Sequence, residues 1–210
     1  MRSHSLWGKL TAMVLALMLV LPGSFVAFAE GNETVIIGDV SESVGVYADE
    51  YTGDSSLTVN GNVTISPDEN EWWITGVSAG ADGGAEAAVT VNGTVTVESG
   101  SGANGVHVSV NDGGVAEVSV GDISVNAVES ANAVSVYSYD GAVTLEAGQL
   151  NAESSGEKDW DGASGLNIQT ESENAAVDVT VGDIQADSGI GVSNQGGEIT
   201  VSAGSIEAAD

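Results

Sequence analysis

The chain has 210 residues, no cysteine, and 31 acidic side chains against three lysines and arginines, so its formal net charge is −28. Nucleic-acid binding proteins use Lys and Arg to displace counterions from phosphates, and anionic lipid headgroups attract the same side chains. We therefore expect no nucleic-acid partner. The lack of cysteine excludes a disulfide framework, and the length indicates a single domain.

The first 29 residues have the parts of a secretory signal peptide. Arg2 and Lys9 form a basic head, Leu10–Leu21 is an apolar run, and Ala27–Ala29 supplies the small residues of a cleavage site. The run is shorter than the roughly 20 residues that a membrane-spanning helix needs. We predict a secreted or cell-surface protein with one domain over residues 30–210 and no membrane insertion after cleavage.

The predicted domain repeats one unit. The unit consists of a strand with apolar residues at every second position, a glycine, a polar residue and a second strand of the same kind. Val118–Val125 (VSVGDISV) is one such unit, and Val134–Val136 adds a third short strand. The corner glycines, each followed two positions later by an aliphatic residue, are Gly38, Gly61, Gly93, Gly121, Gly148, Gly182 and Gly204. Period-two alternation places Val, Ile and Leu on one face of each strand.

The spacing of the units favours stacked coils. Similarity returns every three strands, and the first strands begin 22 to 34 residues apart, at Val35, Leu57, Val89, Val118, Val143, Val177 and Ile199. A unit that returns to the same place is one coil of a solenoid, about 4.8 Å from the next. We predict an all-β, right-handed parallel β-helix with three short strands per coil and about six to seven coils. An antiparallel sandwich is the alternative.

Small residues mark three corners in each predicted coil. The corner glycines are expected to adopt positive φ, which costs glycine little. A second small residue is expected just before each third strand, at Ser43, Gly76, Gly105, Ala133, Gly165 and Gly189. Clusters of Asp, Gln and Gly close most coils. Three corners imply a roughly triangular cross-section.

The residues that follow the corner glycines should form one stacked column. They are Asp39, Asn62, Thr94, Asp122, Gln149, Asp183 and Ser205. Like charges one coil apart are destabilising, and no two neighbours in this column are both acidic. Stacking therefore predicts that Asp122 faces solvent between Thr94 and Gln149.

The connections between second and third strands vary in length and should form a row along one edge. They are Ser66–Thr75, Glu98–Asn104, Asn126–Asn132, Glu153–Ser164 and Asp187–Ser188. The two longest contain Trp72, Trp73 and Trp160 beside acidic residues. Exposed indoles next to carboxylates suit carbohydrate binding through ring stacking and hydrogen bonds. The alternative is that each indole folds back over the flank of its coil.

Glu157, Asp159 and Asp161 precede Gly162 and resemble the start of a calcium-binding loop. The closing bidentate glutamate is absent, because Ile168 occupies the twelfth position. We therefore expect no required cofactor, with calcium as an optional ligand. The alternative is a solvated acidic loop.

The units resemble the repeats of bacterial secreted and surface β-helix proteins, namely adhesin-like, autotransporter-passenger-like and pectin-lyase-like solenoids. Val89–Val95 (VTVNGTV) carries the resemblance, which extends from Val35 to Asp210. It implies export and binding to an extracellular polysaccharide or to a host or matrix surface; a purely structural spacer is the alternative. Because Asp210 falls within the seventh coil, we also expect either a fragment of a longer protein or end-to-end self-association.

Enzymes on this fold include polysaccharide lyases and hydrolases, but the predicted domain offers little for such chemistry. A lyase needs a base, often Arg or Lys. After the signal peptide only Lys158 remains, so 31 acids less one base give −30. His107 is the one remaining histidine and is expected to be a surface residue. We therefore predict a non-enzyme; hydrolysis by paired carboxylates is the alternative.

Overall fold

A computed structural model describes residues 28–29, 33–42, 45–50, 53–67, 72–156 and 162–208, which form twenty-one β-strands and no helix. The strands belong to three sheets of seven strands each, and all neighbouring strands are parallel. The predicted parallel β-helix with three strands per coil is therefore confirmed. Its right-handed winding stays a prediction.

Each sheet takes one strand from each coil. Sheet A contains β1 (Phe28–Ala29), β4 (Val46–Glu50), β7 (Trp73–Ala81), β10 (Gly102–Val110), β13 (Ala131–Ser138), β16 (Ala163–Thr170) and β19 (Ser188–Asn194). Sheet B contains β2 (Glu33–Ile37), β5 (Ser55–Asn60), β8 (Glu86–Val91), β11 (Val115–Val120), β14 (Ala142–Ala147), β17 (Ala176–Val181) and β20 (Glu198–Ser202). Sheet C contains β3 (Val40–Glu42), β6 (Val63–Ile65), β9 (Val95–Ser99), β12 (Ile123–Ala127), β15 (Leu150–Ser154), β18 (Ile184–Ala186) and β21 (Ile206–Ala208). Coil 1 is β2–β4, coil 2 is β5–β7, and so on to coil 7, β20–β21.

One continuous apolar core fills the space between the three sheets. Period-two alternation sends the apolar residues inward, and the parallel register stacks them in columns. One column in sheet C contains Val40, Val63, Val95, Ile123, Leu150 and Ile184, all buried. Full burial of such a side chain stabilises the fold by about 1.5–3 kcal/mol. The columns therefore account for a stable fold without disulfides.

The predicted alignment of coil 1 is wrong by one residue. We expected Val35 to stack with Leu57, but Val35 pairs with Thr58 and is 40% exposed. Thr34 pairs with Leu57, and the inward residue is Ile36. β2 contains consecutive apolar residues, so alternation alone does not distinguish its faces.

The corner glycines are required for a reason other than the one predicted. Only Gly38 among them has a left-handed backbone, with φ of 110°. At the others the preceding coil lies too close for a side chain: a Cβ on Gly121 would overlap the carbonyl of Gly93. Close stacking, rather than positive φ, therefore selects glycine at these corners.

The second row of small residues lies within the strands of sheet A rather than before them. Gly105 is an internal residue of β10, and the row continues in the neighbouring strands as Gly76, Ala133, Gly165 and Gly189. Ser43, the first predicted member, lies outside the described residues. A Cβ on Gly105 would overlap Cγ2 of Ile123 in sheet C. These positions are small because the apolar side chains of sheet C fill the space in front of them.

Candidate functional site: the loop edge

The connections from sheet C to sheet A form a row along one edge of the solenoid, as predicted. We call this row the loop edge; its described residues are 45, 66–67, 72, 100–101, 128–130, 155–156, 162 and 187. The strands extend into the predicted loops, so that only Gly100 and Ser101 separate β9 from β10. The longest connections are those after β6 and β15, where the sequence places its tryptophans.

Trp72 and Trp73 differ in their environments. Trp73 is the first residue of β7, not a loop residue, and it pairs with Gly102 in the next coil. Its ring lies on Gly102, where a Cβ would overlap ring atoms Cε3 and Cζ3. Half of Trp73 remains exposed, whereas Trp72 is 85% exposed. Trp73 thus partly covers a flank, while Trp72 lies almost entirely in solvent.

Other predicted site residues lie outside the described residues. They are Trp160 and the three acids of the predicted calcium loop, Glu157, Asp159 and Asp161. Among the residues that the structure describes, no group of three or more His, Cys, Asp or Glu side chains is placed to hold a metal ion. The calcium loop therefore stays a prediction.

Polar side chains next to the tryptophans are held by hydrogen bonds between coils. The Ser101 hydroxyl donates to Glu129 Oε2 at 2.8 Å, and the Glu129 N–H donates to the Ser101 carbonyl at 3.0 Å. Ser154 in the following coil donates to the Glu129 carbonyl at 2.6 Å. Trp72 joins the same network, because its carbonyl accepts the N–H of Gly102 at 3.4 Å. An exposed indole, a hydroxyl and a carboxylate thus occupy successive coils along one edge.

A second polar feature, at the corner between sheets B and C, is a ladder of side-chain acceptors. In the column after the corner glycines, Asp122 Oδ1 accepts the backbone N–H of Gln149 at 2.8 Å. The same contact joins Asp39 to Asn62, Asn62 to Thr94 and Asp183 to Ser205, at 2.7–2.9 Å. Asp122 is exposed between Thr94 and Gln149, as predicted. The sequence pattern did not reveal that this column accepts backbone N–H groups from the next coil.

We expect Asp183→Asn to make the stability of the protein less sensitive to acid. The asparagine side-chain oxygen can still accept the Ser205 N–H, but it does not titrate. The hydrogen bond from Ser205 holds the pKa of the Asp183 carboxyl below its ordinary value. A carboxylate whose pKa is lower in the folded than in the unfolded state stabilises the fold at pH values above its unfolded-state pKa, which is near 3.9. This stabilisation is lost as the pH falls through the folded-state pKa. The test is the melting temperature between pH 5 and pH 2. Wild type should lose more over this range than Asp183→Asn; parallel curves would contradict the assignment.

A shallow acidic groove of about 480 Å³ lies on the outer face of sheet B. Ser56 and Ala88 line it together with the carboxylates of Glu33, Asp54, Glu86 and Glu117. Asp54 Oδ1 also accepts the Glu86 N–H at 3.1 Å. The groove gives a diffuse negative potential, which attracts cations.

The chain matches no protein-family model, and comparison with curated proteins and with solved structures gives no significant match. In the described part of the chain, no helix is both long and apolar enough to cross a membrane.

Proposed function

We propose that the protein is a secreted or cell-surface, non-catalytic β-solenoid that binds an extracellular polysaccharide, or adheres to a glycan-bearing surface, through its loop edge. The carrying observation is Trp72, which is 85% exposed beside the half-exposed Trp73. Burying a large apolar side chain is worth about 1.5–3 kcal/mol, and Trp72 forgoes most of it. A ligand face is a physical reason for leaving an indole in solvent.

The surroundings of Trp72 suit a sugar. Carbohydrate rings present apolar C–H faces, which stack on aromatic rings, and hydroxyls, which need fixed donors and acceptors. Ser101 and Glu129, which are hydrogen-bonded to each other, supply such polar groups one and two coils away. Because the coils stack in register, these groups keep their spacing without a ligand. Binding therefore loses little conformational entropy in ordering them.

The net charge of −28 narrows the ligand class. A strongly acidic surface repels anionic polymers, so we assign neutral or cationic polysaccharides rather than uronate-rich or sulfated ones. Calcium is an optional contributor, through the predicted loop at Glu157, Asp159 and Asp161 or through screening of the acidic surface.

Replacing Trp72 with alanine should weaken polysaccharide binding about tenfold, which corresponds to roughly 1.4 kcal/mol of lost stacking. The measurement is a titration of the purified protein with neutral, cationic and anionic glycans, with and without calcium, followed by tryptophan fluorescence and calorimetry. Tyr139→Ala is the matched control, since Tyr139 is 47% exposed but lies off the loop edge. Unchanged affinity in Trp72→Ala, or equal loss in both variants, would contradict the proposal.

A structural spacer is the second candidate, supported by the three continuous seven-stranded sheets. Such a scaffold holds its two ends at a fixed separation without any ligand. If the protein is only a spacer, it binds no class of glycan, and Trp72→Ala changes its fluorescence but no other property.

A further inference from the structure

The outer face of sheet A differs in charge from the outer face of sheet B. In coils 3 to 7 every strand of sheet B carries one exposed acid, and these are Glu86, Glu117, Glu146, Asp178 and Glu198. The five strands of sheet A from β7 to β19 contain no acidic residue, although the chain has 31. Within sheet A only β4, in coil 1, includes acids, at positions 49 and 50. From coil 2 onward, sheet A is therefore a neutral strip along a strongly acidic solenoid.

The neutral strip begins beside the tryptophans of the loop edge. Trp73 lies with its ring on Gly102, the residue in register with it on β10, and remains half exposed. On β7 the outward positions after Trp73 are Thr75, Ser78 and Gly80. On β10 the residues in register with those three are Asn104, His107 and Ser109. An apolar ring thus lies at one end of a row of hydroxyl, amide and imidazole groups.

A polar recess lies at the far end of this row. Ser78 is in register with Tyr47 on one side and with His107 on the other, and it is only 8% exposed between these larger residues. The recess has a volume of about 210 Å³ and is lined by Ser78, Gly80, Ala81, Asp82, His107, Ser109 and Asn111. Its hydroxyl, amide, imidazole and carboxylate groups are the donors and acceptors that the hydroxyls of one sugar residue need.

We propose that the bound polysaccharide runs across the outer face of sheet A, along β7 and β10, from the tryptophans to this recess; the inference rests on the proposed function. Trp73 and Ser78 are five residues apart on β7, which corresponds to about 17 Å at 3.3 Å per residue. A glycan that contacts both ends of the row therefore needs several sugar units. One unit stacks on the indole and another enters the recess, and the two contacts reinforce each other because one chain makes both.

The charge of this path narrows the ligand to neutral polysaccharides. Asp82 is the one acid among the described residues that line the recess. A cationic chain would instead be attracted to the outer face of sheet B, where each coil from the third to the seventh carries a carboxylate. Hydroxyl and amide groups bind sugar hydroxyls without requiring a charge. The path thus suits an uncharged, hydroxyl-rich polymer.

Filling the recess tests the path. Ser109→Ile adds a branched, uncharged side chain that suits a strand, and Ser124→Ile is the matched control, because Ser124 is also half-buried but lies in sheet C. The probes are neutral β-glucan, mannan, galactan and chitin oligosaccharides, from disaccharide to octasaccharide, titrated against the purified protein. For wild type, affinity should rise with the length of the bound series. Ser109→Ile should weaken octasaccharide binding about five- to tenfold and leave disaccharide binding unchanged, and Ser124→Ile should change neither.

A second variant and a second kind of probe complete the test. Asn111→Ala removes a lining amide without filling the recess, and it should weaken octasaccharide binding about two- to fivefold. Tyr139 does not line the recess, so Tyr139→Ala remains a control. Chitosan oligosaccharides share the backbone of chitin but are cationic, and Ser109→Ile should not affect their binding.

The outcomes separate this inference from the proposed function. If Trp72→Ala weakens octasaccharide binding while Ser109→Ile and Asn111→Ala do not, the path across sheet A is overturned and binding at the loop edge stands. A loss in Ser109→Ile that is confined to chitosan would overturn the assignment to neutral polysaccharides. Failure of every series to bind wild type would overturn both the path and the proposed function.

Discussion

Replacing Gly93 with alanine is expected to lower the free energy of unfolding by about 1–3 kcal/mol, the range for overpacking a tightly packed site. Gly93 turns the chain between sheets B and C directly against the corner of the preceding coil. A Cβ there would overlap the Gly61 carbonyl oxygen, lie 2.7 Å from the Gly61 carbonyl carbon, and overlap Asn62 Oδ1. Asn62 Oδ1 accepts the Thr94 N–H at 2.9 Å, so the same methyl group would also disturb the acceptor ladder.

The matched control for Gly93→Ala is Gly100→Ala, on the same coil. A Cβ on Gly100 would have no atom within 4 Å, and its φ is outside the left-handed range. Alanine there restricts the unfolded chain and should leave stability unchanged or raise it by about 0.4–1 kcal/mol. Urea unfolding of both variants measures the difference. Equal stabilities would mean that the coils separate easily at this corner and that close stacking does not explain its glycines.

The part of the fold that the sequence predicted is the part set by local alternation. Alternation of Val, Ile and Leu at every second position predicted the strands and their inward faces, and the return of the same unit every three strands predicted the parallel coils and the position of the loop edge. Alternation failed in β2, where Ile36 and Ile37 are consecutive and the true inward residue is the one two positions before Gly38. Val59 lies two positions before Gly61, as Ile36 lies two positions before Gly38. Counting back two residues from the corner glycine therefore gives the correct register.

The features that the sequence did not predict depend on contacts between coils. The acceptor role of Asp122 requires the N–H of a residue 27 positions away, Gln149, and nothing local to either residue signals that contact. Positive φ is a property of one residue and holds at Gly38, whereas the constraint at the other corner glycines is the close approach of the preceding coil. For the same reason the sequence did not distinguish Trp73, which rests on Gly102 of the next coil, from the exposed Trp72.

Ile184→Ala should destabilise the protein by about 2–5 kcal/mol, whereas Ile206→Ala, the same substitution one coil further along the column, should cost under about 1 kcal/mol. The two side chains pair directly in sheet C, but Ile184 is 1% exposed and Ile206 is 49% exposed. Shortening Ile184 leaves a cavity beneath an intact coil, while shortening Ile206 removes atoms that already contact water. Denaturant unfolding of the two variants and of wild type measures both losses. Equal losses would contradict the difference in exposure between Ile184 and Ile206.

The cavity left by Ile184→Ala also has a defined neighbour. A Cβ on Gly165 would overlap Cγ2 of Ile184, lie 3.5 Å from its Cβ, and lie 2.8 Å from the Gly189 carbonyl oxygen. Removing Cγ2 abolishes the first overlap and leaves the tight contact with Gly189, so Gly165→Ala should cost less in the Ile184→Ala background than in wild type. We expect a favourable coupling of about 0.5–3 kcal/mol in the double-mutant cycle. Strict additivity would mean that Gly165 and Ile184 do not share one space, and hence that sheets A and C do not interdigitate there.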